Sequence, residues 1–176
     1  KEVLCWSLNN YLGLANHPEV RKADAEAAAK YGMAYPMGAR VMSGQTKYHK
    51  QLEQELAEFV HKKYGCVINY GYQGIMSAID CLLARHDVVV YDADCHASIM
   101  DAIRMTDAER LKFRHNDPKD CEKKLEVATR KANELGGGIL VVTEGVFGMR
   151  GMQGKVREIA DLKKKFNFRL LIDDAH

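Results

Sequence analysis

The residues with chemical potential in this 176-residue chain collect after short apolar runs. Tyr70, Gly71, Tyr72, Gln73 and Gly74 follow one such run and open a helical stretch. Asp94, Cys95 and His96 follow another, Glu144, Gly145, Val146 and Phe147 a third, and Asp173, Asp174 and His176 the last. A glycine-bearing turn at a helix start offers free backbone N–H groups and close approach, which suits a phosphate. A carboxylate ending an apolar strand, as Asp173 does, is costly unless it is paired. Each residue has an ordinary alternative: a plain strand-to-helix turn at Gly71, a capping or packing imidazole at His96, a structural partner for Asp173. Together they point to a phosphorylated heteroaromatic ring with a protonatable nitrogen. Pyridoxal phosphate is such a ring, and its nitrogen commonly has an acidic partner.

The elements that must position these groups are legible as periodicities. Residues 16–30 read as a helix, with Asn16 as cap, Pro18 in the first turn and Gly32 as its close. A loop rich in Gly, Met and Ser spans 32–44. A second helix runs over 47–63, with Tyr48, Leu52 and Leu56 at helical spacing and Gly65 as its stop. Beyond it, expected strands at 66–69, 88–92, 111–114, 139–143 and 169–173 alternate with expected helices at 73–83, 97–104, 121–135 and 155–165. Such alternation means βαβ units and a mainly parallel sheet. Gly136, Gly137 and Gly138 read as a flexible helix-to-strand turn.

Composition bounds the rest. With 47% hydrophobic and 28% charged residues the chain is globular, and a net charge of +2 with mixed signs argues against a nucleic-acid binder. No apolar run reaches membrane-spanning length. The five cysteines are scattered without a CxxC pair, which fits a reducing cytoplasm and no zinc ribbon. The turn at Gly71 lacks both GxGxxG and a Walker lysine, so dinucleotide and P-loop readings fail. His49, His61 and Lys62 have no second cluster to complete a metal site.

Seven motifs then resemble, in register and over the whole chain, the α-oxoamine synthases: NYLG at 10–13 with NHP at 16–18, GAR at 38–40 with Ser43, Gly44, His49, Leu52 and Glu53, GYQ at 71–73, DCHAS at 94–98, RHND at 114–117, TEGVF at 143–147 and DDAH at 173–176. The resemblance implies the three-layer α/β/α large domain of fold-type-I pyridoxal-phosphate enzymes. Residues 1–45 would form an N-terminal helix and loop segment, and 46–176 an incomplete cofactor domain. It further implies that Gly71 and Tyr72 lie near the cofactor phosphate and that His96 stacks on the ring. Asp173 would pair with the ring nitrogen and His176 reach the ring hydroxyl. His96, Asp173 and His176 are the implied catalytic residues, with Asn10 and Arg40 on the substrate side. The implied reaction joins serine, glycine or alanine to an acyl-CoA with loss of carbon dioxide, in a homodimer, with bacterial serine palmitoyltransferases as the nearest pattern. A related aminotransferase or lyase, and a non-catalytic partner subunit, are the alternatives.

Two departures stand out. Gly148 occupies the place of a family serine, and Arg150 that of an acidic residue. The family's cofactor-binding lysine is expected beyond His176, because Lys163, Lys164 and Lys165 lie on the helix before the last strand. Both ends look unfinished, and the chain reads as a fragment expected to be inactive and poorly folded alone.

Overall fold

The computed structural model describes residues 2–6, 8–32 and 35–176; residues 33–34 of the expected loop over 32–44 lie outside that description. The chain forms two compact units, Lys1–Val67 and Ile68–His176.

In the first unit, α1 spans Pro18–Tyr31 and ends at Gly32 as expected. Its cap is His17 rather than Asn16, because Asn16 already belongs to a short 3-10 turn, Leu14–Asn16. His17 is the extended residue that Pro18 demands before it. The expected loop contains one wide helical turn, Arg40–Gly44. Helix α2, Lys47–Phe59, begins with a capping box in which Thr46 Oγ1 accepts the His49 N–H and the His49 ring accepts the Thr46 N–H. It ends at Phe59, short of 63, where His61 turns left-handed (φ 54°) and the Lys62 N–H returns to the Ala57 carbonyl at 2.7 Å.

Residues 66–69 are not a strand. The Val67 N–H goes to the Glu53 carboxylate at 2.9 Å and its carbonyl to the Arg40 guanidinium, so side chains take the groups a sheet ladder would need. The same links tie Arg40, α2 and Val67 into the first unit, whose boundary therefore falls after 67 and not at 45.

The second unit is a three-layer sandwich. Its strands are β1 (Val88–Asp92), β2 (Glu109–Phe113), β3 (Ile139–Glu144), a short hairpin of β4 (Val146–Phe147) and β5 (Met152–Gln153), and β6 (Arg169–Asp173). Its helices are α3 (Gly71–Leu82), α4 (Ala97–Met105), α5 (Pro118–Leu135) and α6 (Val156–Asp161). The main sheet is parallel throughout, in the order β2-β1-β3-β6. Alternation along the strands sorts the core: Val88, Val90 and Val141 face Leu125, Ala128 and Ile159 of α5 and α6. Val89, Leu140 and Val142 face Ile79, Ile99 and Ile103 of α3 and α4. The expected parallel α/β fold is thus present. Helix α6 is shorter than expected, giving way to a 3-10 turn at Leu162–Lys164. The antiparallel β4–β5 hairpin was not foreseen, since two-residue strands leave no periodicity.

The three glycines after α5 are not a slack hinge. Gly136 is the left-handed cap (φ 71°), and a Cβ on Gly137 would overlap the His86 carbonyl. Among the described residues no helix is long and apolar enough to cross a membrane.

Candidate functional site

Strand order fixes where a ligand can sit. From β1 the chain passes through α4 to β2 on one side, then through α5 back across to β3 on the other. Neighbouring strands whose connections diverge leave a crevice at their carboxyl ends, where α/β sheets bind ligands. That crevice lies between Asp92 and Glu144, with Asp173 next along, in register with Glu144.

His96 stands at its rim. It is exposed, caps α4 and accepts the Ser98 N–H on Nδ1 at 3.3 Å, with Ser98 Oγ 2.7 Å away. The capping alternative raised from sequence is therefore realised, on an imidazole that remains exposed. The backbone N–H of His96 donates to Glu144 Oε1. The Tyr72 ring meets the His96 ring edge-on at 6.2 Å, and the Tyr72 hydroxyl donates to Asp101. That bond raises the Tyr72 pKa and lowers that of Asp101.

Gly71 opens α3 in space free of neighbours, and Tyr70 before it makes no side-chain cap. The first turn thus presents backbone donors of the kind that bind an anion. It follows an irregular segment and not the strand expected at 66–69. Asp173 ends β6 half-buried, accepting the Ala175 N–H at 3.1 Å. His176 lies against Gly148 so closely that a Cβ there would overlap its ring. The serine the family places at 148 would displace this imidazole from its position.

Two acids that sequence reasoning did not assign share this edge. Asp92 is fully buried and satisfied by the Asp94 N–H (2.9 Å), the Asn116 N–H (2.7 Å) and His115 Nδ1 (2.9 Å). Glu144 is 5% exposed, and burial, with the nearby charges of Asp173 and Asp92, pushes its pKa up while the His96 N–H pulls it down. The signal for both was the one used for Asp173, a carboxylate closing an apolar strand. The hairpin is stapled to this edge: Asn116 donates to the Gln153 carbonyl and accepts the Lys155 N–H, and Arg150 Nε lies 2.6 Å from Asp94 Oδ2.

The two residues expected on the substrate side belong to the first unit. Asn10 Oδ1 accepts the Ala15 N–H at 3.2 Å. Arg40 directs Nε to Gln45 Oε1 (2.6 Å), Nη2 to Glu53 (2.5 Å) and Nη1 to the Val67 carbonyl. Here it ties its own unit together.

Solved structures share this architecture. A serine palmitoyltransferase of Sphingomonas wittichii superposes with a TM-score of 0.85 at 34% identity, over 93% of this chain and 40% of that one. One from S. paucimobilis, solved with PLP and myriocin bound, gives 0.84 at 32% identity over 93% and 41%. The fold is that of the fold-type-I pyridoxal-phosphate enzymes. The profile of the aminotransferase class I and II family matches residues 1–176. The chain belongs to that family, in its α-oxoamine synthase branch.

Among curated relatives, a cysteate-C-fatty acyltransferase of Capnocytophaga ochracea is 61% identical over all of this chain and 42% of its own length. A serine palmitoyltransferase of Caulobacter vibrioides is 39% identical over 96% and 40%. An 8-amino-7-oxononanoate synthase of Exiguobacterium sibiricum is 40% identical over 100% and 44%. The chain thus spans about two fifths of the length of these relatives.

Proposed function

We propose that this chain is the cofactor-binding part of a pyridoxal-phosphate-dependent C-acyltransferase. The complete enzyme joins an amino acid to an acyl thioester such as an acyl-CoA, releasing carbon dioxide, the free thiol and a 2-amino ketone. The observation that carries the reading is the meeting of an uncapped helix start, an exposed imidazole and a carboxylate at one sheet edge. That donor set fits the group: anion donors for the phosphate, a ring face for the pyridine, an acid for its nitrogen.

In this reading the N–H groups at Gly71 and Tyr72 bind the phosphate. His96 lies on the ring face and limits its tilt. Asp173 holds a proton on the ring nitrogen, and His176 meets the ring hydroxyl. When bound, pyridoxal phosphate supplies an electron sink for the pair left at the substrate α-carbon. Asp173 strengthens that sink by keeping the nitrogen cationic. A cytoplasmic homodimer completes the reading, by analogy with the family.

The amino acid is the finer point. Serine, glycine and alanine are what the motifs suggest, but 61% identity to a cysteate-C-fatty acyltransferase favours cysteate, whose side chain carries a sulfonate. The test supplies the full-length protein with each of the four amino acids and acyl-CoAs of several lengths, measuring thiol and carbon dioxide release. Coupled release with cysteate preferred is expected. Amino transfer to a 2-oxo acid without thiol release would overturn the acyltransferase reading. Coupled release with serine preferred would overturn only the choice of cysteate.

A further inference from the structure

Glu144 is buried at the end of β3 with two other acids beside it, yet the ligand roles above leave it unused. A carboxylate in such a place costs free energy unless its hydrogen bonds repay it. Its Oε1 accepts the backbone N–H of His96, which reaches across the crevice from the β1 side. On that side Asp92 Oδ1 accepts the Asp94 N–H at 2.9 Å. The turn carrying His96 is thus held at both ends, at Asp94 by β1 and at His96 by β3. The Ser98 cap then fixes Nδ1, so the ring is determined from backbone to edge. A bond from an N–H to an ionised acceptor is roughly twice as strong as its neutral counterpart.

We propose that Glu144 is a positioning residue, which sets the His96 ring over the ligand by holding the His96 N–H across the β1–β3 crevice. The proposal rests on the functional reading above, since it takes the His96 face as the one that meets the cofactor. It makes a distinction that a merely structural acid would not show: Glu144 acts through His96, so its removal matters only while His96 is there. Glutamine keeps an acceptor of the same reach and should retain most of the effect.

The experiment is a double-mutant cycle in the full-length protein, with Glu144→Met, His96→Ala and the pair, and Glu144→Gln as the conservative variant. Readouts are the visible circular dichroism of bound pyridoxal phosphate, its dissociation constant, and kcat and KM for the preferred amino acid. Glu144→Met should weaken cofactor binding about 10-fold and lower kcat/KM by about 100-fold, with Glu144→Gln within about 3-fold of wild type. In the His96→Ala background, Glu144→Met should change neither by more than about 2-fold. Folding is checked by far-ultraviolet circular dichroism, and Glu144→Ala replaces the methionine variant if that one does not fold. An undiminished loss in the His96→Ala background, or a folded Glu144→Met protein with wild-type signal and kinetics, overturns the proposal alone. A wild-type protein that shows no visible cofactor band overturns the functional reading and the proposal with it.

Discussion

At the amino edge of the sheet, half-buried Asp87 accepts the N–H groups of Ala84 and Gly138, each at 2.7 Å, and joins the loop before β1 to the turn before β3. At the carboxyl edge, Asp92 and Glu144 are buried and bind segments that lie far off in sequence: Asn116 for one, His96 for the other. Both edges use a carboxylate to stitch loops. The amino edge does so near water, through a half-buried acid whose two bonds close the turns before β1 and β3. The carboxyl edge buries Asp92 and Glu144 and brings His96, Tyr72 and His115 around them. A stitch that only closes a turn can stay wet; one that must fix a direction for a ring cannot.

Substitutions at the two edges should separate by size, read as urea midpoints of the full-length protein. Asp92→Ala strips the partner from the Asp94 and Asn116 N–H groups and from His115 at once, and should cost about 3 kcal/mol. A cost below that of Asp87→Ala would erase the contrast. Gly137→Ala, at the amino edge, forces a Cβ onto the His86 carbonyl and should cost about 2 kcal/mol, because backbone must move. Asp87→Ala loses two hydrogen bonds that water can partly replace, for about 1 kcal/mol.

The smallest effect is a pH dependence. Burial and the charges of Asp173 and Asp92 raise the Glu144 pKa, against the pull of the His96 N–H. A carboxyl raised on folding contributes most below its ordinary value of 4.5, and that contribution fades as pH rises through the folded value. Glu144→Gln has no such titration. Its stability relative to wild type should therefore climb between about pH 4 and pH 7, and a flat difference would show that the charge is fully compensated. Thiol labelling offers a further check on burial: Cys121, whose pKa is pushed up to about 12, should resist alkylation until the protein unfolds, as should buried Cys95.

The four strands of the main sheet and the helices between them were legible because each apolar run carries its own period and a turn residue at its end. Strand β6 matches its expected range of 169–173 and pairs along that whole length with β3. Residues 66–69 look equally apolar, but Glu53 and Arg40 take the Val67 backbone groups, and no local pattern contains that competition. The end of α2 was misplaced for a similar reason: Gly65 is the residue type that stops helices, yet His61 takes the left-handed turn earlier. At the site, His96 and Asp173 were visible as residues placed after strands. Asp92 was read past and Glu144 was noted without a role, because their meaning lies in Asn116, His115 and His96, which only the folded sheet brings near.

The strand order carries one more consequence, for the order of events in folding. The bond from His96 to Glu144 joins residues 48 apart, and β2 and α5 must be threaded between them before it can close. Contacts that span so much chain are bought late, after local helices and turns have formed. A partly folded chain therefore owns neither half of a working crevice, and capture of a ligand there would report that the β1–β3 pairing is complete.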